Sequence, residues 1–268
     1  MSQLRHNQLL SKSSKGWKDY YRFVYPQFWT QEARRYEGDA YYQALLHLIT
    51  PAPGERVLEC GIGTGTTLAL PLAQRGANVH GVDIAEPLLR TCREAFAQNH
   101  LSVACVQSDV ESLPYADESF DWVVCISTAW YLPDFPRAVG EMARVARRGG
   151  RVIFDIINGW HPFQSLMYLH GHLYQAVRRL KRKVQGRPTE GCQMSWQLRT
   201  PLSVRRALRT LNLRVQVKGF FVLLPLSLPL LGEKGNLCRF VPLLAFGLQD
   251  TPLLRYFGGK VVFVCEKL

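Results

Sequence analysis

The stretch Glu59-Cys60-Gly61-Ile62-Gly63-Thr64-Gly65 decides the fold, because three alternate glycines follow an apolar run. Residues 56–60 predict a buried strand, and residues 66–75 predict a helix that Gly76 ends. Glycine has no Cβ, so a ligand can approach the backbone of this loop closely. The following helix offers unpaired N–H groups to an anionic part of the ligand. The stretch therefore predicts a ligand-binding turn between a strand and a helix.

Outward from this loop, apolar strands alternate with helices. The predicted strands are 77–83, 102–107, 120–126 and 151–157, the predicted helices are 86–98 and about 134–148, and a closing strand pair is predicted at 213–222 and 260–266. In the helix at about 134–148, Asp134 is the predicted N-cap. Arg144, Arg147 and Arg148 would complement the helix dipole in the last turn. This alternation predicts an α/β protein with a Rossmann-like seven-stranded, mostly parallel sheet and helices on both faces.

The chain divides into four predicted segments. Residues 1–50 are rich in aromatic residues and predict an N-terminal helical lid, and residues 51–158 form the cofactor-binding Rossmann-like core. Residues 159–210 predict a basic helical insertion after strand five that caps the substrate. Residues 211–268 hold the closing strand pair and a long apolar loop.

The cysteines and the apolar runs indicate the cellular compartment of the protein. Seven cysteines have irregular spacing and no Cys-x-x-Cys pair, which is typical of reduced thiols in a cytoplasmic protein. The first residues lack the apolar stretch of a signal peptide. The most apolar run, 219–231, is shorter than the ~20 residues that span a bilayer, and it contains Pro225 and Pro229. We expect a cytoplasmic protein, with peripheral membrane contact as an option.

The positive charge is concentrated in one segment. The formal net charge is +12. Residues 1–155 hold 16 Lys/Arg and 17 Asp/Glu, whereas residues 156–232 hold 12 Lys/Arg and one acid, Glu190. This segment, with its basic tract at 178–187, is either a solvated face or a surface for an anionic or membrane-associated acceptor. Nucleic acid is a weaker expectation, because no recognised RNA-binding module accompanies the charge.

The glycine loop resembles motif I of class I S-adenosylmethionine-dependent methyltransferases, (D/E)-x-G-x-G-x-G. Four further stretches match that family at the expected distances: Gly81-Val82-Asp83-Ile84, the segment 108–115, the strand 119–124 and the Gly-Gly passage 141–152. The resemblance covers roughly residues 50–160 and is closest to the small-molecule methyltransferases. It implies S-adenosylmethionine as cofactor, S-adenosylhomocysteine as product, and transfer of a methyl group to oxygen or nitrogen of a small acceptor. We expect that acceptor to be amphiphilic or anionic, such as a natural product or a lipid or glycan precursor.

The resemblance also implies roles for individual residues. Asp83 would accept both ribose hydroxyls, Glu59 would orient the loop and the cofactor's ammonium, and Asp109 and Val110 would border the adenine. Ser127, together with Thr128, would lie near the methionine moiety. The full set of predicted cofactor residues is Glu59, Gly61, Gly63, Thr64, Gly65, Asp83, Ile84, Asp109, Val110 and Ser127.

Few residues qualify as a catalytic base. His161 follows strand five and Tyr131 follows strand four, so both are candidates, although the sequence favours a structural role for each. Position 131 is Tyr where many relatives of the family carry His. No metal is expected, because His170 and His172 lie two apart and do not share a helix face.

Two other functions remain open from the sequence. A nicotinamide-dependent oxidoreductase needs Gly-x-Gly-x-x-Gly, whereas here the third glycine is Gly65 and position 66 is Thr. A noncatalytic binding module could retain the same pocket without an acceptor.

Overall fold

A computed structural model describes Pro26 and residues 40–185, 197–220 and 252–268. Within these ranges the helices are α1 (Ala40–Leu48), α2 (Ala69–Gln74), α3 (Glu86–Gln98), α4 (Phe135–Val145), α5 (Pro162–Val184) and α6 (Pro201–Leu208). The strands are β1 (Arg56–Cys60), β2 (Asn78–Asp83), β3 (Ala104–Gln107), β4 (Phe120–Cys125), β5 (Ala146–Ile157), β6 (Leu213–Phe220) and β7 (Lys260–Lys267). Short 3₁₀ helices lie at Ala129–Tyr131 and Leu254–Tyr256.

The strands form one seven-stranded sheet in the order β3-β2-β1-β4-β5-β7-β6. Strands β1 to β5 pair in parallel, and β7 runs antiparallel to both β5 and β6. The predicted fold class is therefore confirmed. The strand order reverses direction between β1 and β4, and the carboxyl ends of these strands are where ligands bind in open α/β sheets.

Helices cover both faces of the sheet, which explains why its central strands are apolar throughout. On one face, Leu58 and Val123 pack in a buried cluster with residues of α4 and α6. On the other face, Val57 and Val124 pack in a second cluster with residues of α1, α2 and α3. Neighbouring residues of β1 thus serve two cores, so β1 has no solvent-facing side that would favour polar residues.

The helix after the glycine loop begins later than the sequence predicted. We expected it from residue 66, but α2 begins at Ala69. Pro71 lies in the first turn of this shorter helix, where its missing N–H breaks no intrahelical hydrogen bond. The ligand-facing loop is consequently longer than predicted.

The prediction that the helix beginning near residue 134, here α4, extends to about residue 148 was wrong. Asp134 caps α4 by accepting a hydrogen bond from the Arg137 N–H at 3.2 Å, as predicted. The helix ends at Val145, however, and Ala146 already pairs with Phe120 of β4. Arg147 and Arg148 therefore lie in β5, in an irregular stretch of the β4–β5 register, and do not complement the helix dipole.

Arg147 makes two ion pairs from its position in β5. Its Nε forms an ion pair with the Asp121 carboxylate, and its Nη2 lies 3.6 Å from Glu55 Oε1. Asp121 and Glu55 both lie outside the sequence of α4, so the periodicity of that helix could not reveal them.

The flanking segments are described only in part. α1 lies within the predicted lid, while residues 1–25 and 27–39 of that lid are outside the described residues. α5 follows β5 as the predicted helical insertion, and the long apolar loop falls on residues 221–251, which are also outside the described residues. The division into four segments stays a prediction. In the described ranges, no helix is both long enough and apolar enough to cross a membrane.

Candidate cofactor and acceptor site

An open cavity of about 890 Å³ lies at the carboxyl ends of the central strands. The lining residues come from the carboxyl ends of β1 and β2, from the loops after β1, β2, β3 and β4, and from α1 and α3: Tyr42, Glu59, Gly61, Ile62, Gly63, Thr64, Thr67, Asp83, Ile84, Leu88, Ser108, Asp109, Val110, Ile126, Ser127, Thr128, Tyr131 and Leu132. Nine of the ten predicted cofactor residues are in this set, and Gly65 is the exception.

The glycine loop is held close to the sheet by its backbone. Gly61, Gly63 and Gly65 all have positive φ, the left-handed region that glycine adopts without strain. A Cβ at Gly61 would lie 2.3 Å from Thr128 Oγ1, so any side chain there would displace the loop after β4. The loop therefore requires glycine for both conformation and space.

Gly65 acts in packing, away from the cavity wall. A Cβ at this position would lie 2.5 Å from Cys92 Sγ on α3. The third glycine thus lets the loop lie against α3, which borders the cavity through Leu88.

Asp83, at the end of β2, ties the two loops of the cavity together. Its Oδ2 accepts a hydrogen bond from the Gly63 N–H at 2.9 Å, and its Oδ1 accepts one from the Ala85 N–H at 2.9 Å. Burial raises the pKa of this carboxyl, while these backbone donors act in the opposite direction. A carboxylate can accept about four hydrogen bonds, and Asp83 lines the cavity, so it can accept further hydrogen bonds from vicinal hydroxyls.

Glu59, in β1, is a buried carboxyl on the cavity wall, and no cation of the described residues pairs with it. It is 4% exposed, and burial raises its pKa to about 8. A hydrogen bond with the Ala69 backbone acts in the opposite direction and ties Glu59 to the start of α2. Within the described residues, Glu59 Oε2 has no hydrogen-bond partner. A buried acceptor without a partner is costly, and a ligand ammonium would satisfy it.

The loop after β3 forms the opposite wall. Asp109 and Val110 line the cavity with Ile84. Asp109 Oδ1 accepts a hydrogen bond from the Glu111 N–H at 3.0 Å, which fixes the turn. The Val110 side chain is 5% exposed and gives this wall the apolar character that a flat heterocycle favours.

Sequence reasoning missed a cluster of buried polar residues behind Ser127. Ser127 has φ +56°, its N–H donates to Asp155 Oδ1 at 2.7 Å, and its Oγ accepts from Lys260 Nζ at 3.1 Å and from Tyr42 at 3.0 Å. Asp155 is fully buried and also accepts from the Tyr41 hydroxyl at 2.7 Å. Lys260 is 9% exposed, and its Nζ lies 3.4 Å from Asp155 Oδ2.

This cluster orients Ser127 toward the cavity. Two donors occupy the lone pairs of its hydroxyl, which leaves the hydroxyl hydrogen to be donated into the cavity that Ser127 lines. The one available signal in the sequence was a lysine that begins the otherwise apolar run of β7.

The structure separates the two candidate bases. Tyr131 ends the 3₁₀ helix after β4 and lines the cavity. His161 is buried outside the lining set, and its Nδ1 accepts a hydrogen bond from the Gln164 N–H at 3.3 Å, which caps the first turn of α5. Burial lowers the pKa of His161. No group of three or more metal-ligating side chains occurs among the described residues.

The sheet order and this cavity define a Rossmann-like domain whose glycine loop, paired carboxylates and apolar wall fit S-adenosylmethionine. The partnerless Glu59 oxygen suits the ammonium, Asp83 suits the ribose, and the wall at Val110 suits the adenine. The chain contains a class I S-adenosylmethionine-dependent methyltransferase domain, and residues 58–154 match the family model described as "Methyltransferase domain".

Comparison with known proteins agrees with this assignment. Over 104 residues the chain is 40% identical to phosphatidylethanolamine N-methyltransferase of Cereibacter sphaeroides, a match that covers 38% of this chain and 50% of that protein. Over 106 residues it is 39% identical to a ubiquinone biosynthesis O-methyltransferase of Alkalilimnicola ehrlichii, with coverage of 39% and 42%. The crystal structure of magnesium protoporphyrin IX methyltransferase from Synechocystis PCC 6803 with bound S-adenosylhomocysteine is similar with a TM-score of 0.63 and 14% identity, over 94% of this chain and 98% of that chain.

The sequence matches to the curated relatives cover only part of each protein. The chain spans about half or less of the length of the two curated relatives, and the matched stretch is the cofactor domain. The structural likeness, at 14% identity, shows the fold.

Proposed function

We propose that this protein transfers a methyl group from S-adenosylmethionine to an oxygen or nitrogen atom of a small amphiphilic or anionic acceptor. One observation carries the proposal: Glu59, Asp83 and the glycine loop face a single open cavity at the reversal point of the sheet. S-adenosylmethionine supplies an electrophilic methyl group on a sulfonium. The protein's task is then to align the acceptor with that methyl group, and such positioning can supply ~7–11 kcal/mol of the barrier.

The chain's own residues would divide this task. Asp83 would hold the ribose hydroxyls, Glu59 would orient the ammonium, and Asp109 and Val110 would border the adenine. Ser127, which the buried pair Asp155–Lys260 holds in place, would donate a hydrogen bond beside the methionine carboxylate or the acceptor. Gly61, Gly63, Thr64 and Ile84 would contribute further contacts from the cavity wall, whereas Gly65 packs against α3.

An amphiphilic acceptor is supported by the wall on the Ser127 side of the cavity. Tyr42, Ile126, Tyr131 and Leu132 give it a mainly apolar surface, with polar tips on the two tyrosines. The phosphatidylethanolamine and ubiquinone methyltransferases among the relatives are named for lipid-type acceptors. An anionic group on the acceptor is supported by the basic segment 156–232. The free thiols of the described cysteines suit the cytoplasmic location that the sequence predicted.

An acceptor that arrives protonated must lose a proton as its lone pair takes the methyl group. Of the two candidate bases, Tyr131 is preferred because it lines the cavity, and His161 is second because its Nδ1 already accepts a backbone hydrogen bond. An amine acceptor that arrives neutral needs neither residue at the transfer step.

The proposal is tested with methyl-labelled S-adenosylmethionine and separate lipid, glycan, RNA and metabolite fractions. We expect label to appear in the lipid or small-molecule fraction. At a subsaturating concentration of S-adenosylmethionine, Asp83→Ala should strongly reduce the labelling. Asp117→Ala, which removes an exposed carboxylate paired with Arg144, should leave it unchanged. Absence of label from every fraction would contradict the proposal and favour a noncatalytic binding module.

A further inference from the structure

A row of aliphatic side chains on α5 is exposed along nearly the whole helix. Its members, each between 58% and 81% exposed, are Leu166, Leu169, Leu173, Val177, Leu180 and Val184. Single exposed leucines are ordinary on protein surfaces, but contiguous apolar surface of this extent marks an interaction site. We call these six residues the α5 row.

The spacing of the α5 row indicates the shape of its partner. Eighteen residues separate Leu166 from Val184, which is five turns at 3.6 residues per turn, so the row runs straight along a helix about 34 Å long. The six side chains fall within an arc of about 80° around the helix axis. A coiled-coil seam repeats every 3.5 residues and bends the helix around a partner. The straight row instead suits a flat apolar surface.

Charge identifies the chemistry of that surface. Five of the six residues at 178–183 are Lys or Arg, and the helix contains no Asp or Glu. Lys181 is exposed and lies at the edge of the α5 row. A second copy of α5 would bring no opposite charge to this end, whereas an anionic bilayer would provide both negative headgroups and an apolar boundary.

Two aromatic residues are exposed near the start of the helix. Trp160 precedes α5 and is 41% exposed, and its ring lies 6.2 Å from that of Phe257, which is 46% exposed. Tryptophan is enriched at membrane interfaces, where its ring packs on acyl chains and its N–H stays hydrated.

We propose that α5 is a membrane-docking helix, which lies in the plane of an anionic lipid surface with the α5 row buried in it and the basic end on the headgroups. The helix begins after the short link 158–161, at the sheet edge that carries the cavity, so docking brings the methyltransferase domain to the membrane. The inference concerns a surface outside the cavity and stands whether or not methyl transfer is found.

The test is flotation of the full chain with vesicles of equimolar phosphatidylcholine and phosphatidylglycerol, compared with vesicles of phosphatidylcholine alone. We expect binding to the mixed vesicles that weakens with salt. Leu169→Gln/Leu173→Gln should reduce the partition coefficient at least about tenfold, because two side chains lose their apolar contact. Lys181→Glu should weaken binding to the mixed vesicles without changing the folded state.

The matched control is Leu202→Gln/Leu253→Gln, which replaces two exposed leucines that are 55% and 75% exposed outside α5. It should bind vesicles as the parent does. Equal binding by both double variants would overturn the proposal. The proposal would also be overturned if the parent formed dimers without vesicles and only the α5 double variant were monomeric. A third contrary result is a lower melting temperature in the α5 double variant alone, with no change in vesicle binding. These last two results would assign the row to a second copy or to another part of this chain.

Discussion

At the scale of single residues, the site depends on carboxyl groups that pay a desolvation cost in the absence of a ligand. Glu59 and Asp83 are both held on the cavity wall with raised pKa values. Asp83 recovers part of that cost from two backbone N–H donors, whereas Glu59 keeps an oxygen without a partner in the described residues. This contrast favours different ligand groups for the two carboxyls in the proposed function: hydroxyls for Asp83 and a cation for Glu59.

The raised pKa of Glu59 makes ligand binding dependent on pH. With a pKa of about 8, the carboxyl is largely protonated near neutral pH, and a bound ammonium would favour its ionised form. Binding of S-adenosylhomocysteine near pH 7 should therefore release a proton, and affinity should rise between about pH 6 and pH 8. Calorimetry in two buffers of different ionisation enthalpy measures that proton.

Glu59→Gln should abolish the proton release, while Glu94→Gln, on the exposed side of α3, should leave it intact. Because the pKa of Glu59 in the folded protein lies above its usual value of 4.5, the stability of the unliganded fold falls as pH rises from 4.5 to about 8. The Gln variant should lack that loss of stability. Equal proton release by the parent and the Gln variant would show that another group faces the ammonium.

The buried pair Asp155–Lys260 allows a second prediction. Lys260→Met leaves Asp155 buried without its cation, which should lower the free energy of unfolding by about 3–5 kcal/mol. Lys260→Met/Asp155→Asn removes both charges and should recover most of that loss. Urea denaturation of the three proteins measures the difference. If Lys260→Met were as stable as the parent, the Asp155–Lys260 pair would contribute nothing to the free energy of unfolding.

At the scale of elements, the sequence predicted the strands better than the helix ends. Both faces of β1 and β4 are buried, so their continuous apolar runs gave an unambiguous signal. The end of α4 was misplaced because the Asp121 and Glu55 partners of Arg147 come from distant segments. The glycine loop was predicted in position, but the packing role of Gly65 against Cys92 depends on the placement of α3.

The packing of the loop on α3 is tested by adding one methyl group. Gly65→Ala meets both a positive φ of 71° and Cys92 Sγ at 2.5 Å, whereas Gly54→Ala meets a positive φ of 85° with no neighbouring atom within 4 Å. We expect Gly54→Ala to cost about 1–2 kcal/mol from the backbone conformation alone. Gly65→Ala should cost about 1–3 kcal/mol more, because the loop and α3 must separate. Thermal unfolding compares the two, and equal losses would contradict the close contact.

At the scale of the whole molecule, residues near one another in sequence were easier to predict than residues brought together by the fold. The seven-stranded sheet and most of the cavity wall follow from motifs between residues 56 and 157. The Ser127–Asp155–Lys260 cluster was not predicted, because β7 returns from the end of the chain to lie antiparallel beside β5. Tyr42 joins the wall from α1 in the same way, through tertiary packing that no local pattern encodes.

The central claim is that Asp83 and the glycine loop hold one adenosyl ligand in the cavity after β1. Calorimetric titration with S-adenosylhomocysteine tests it most directly. We predict one site per chain and at least a tenfold loss of affinity in Asp83→Ala, since charge-assisted hydrogen bonds to ribose contribute roughly 1.5–3 kcal/mol each, with Asp117→Ala unchanged. Unaltered affinity in Asp83→Ala, or binding of NAD in place of S-adenosylhomocysteine, would contradict the account.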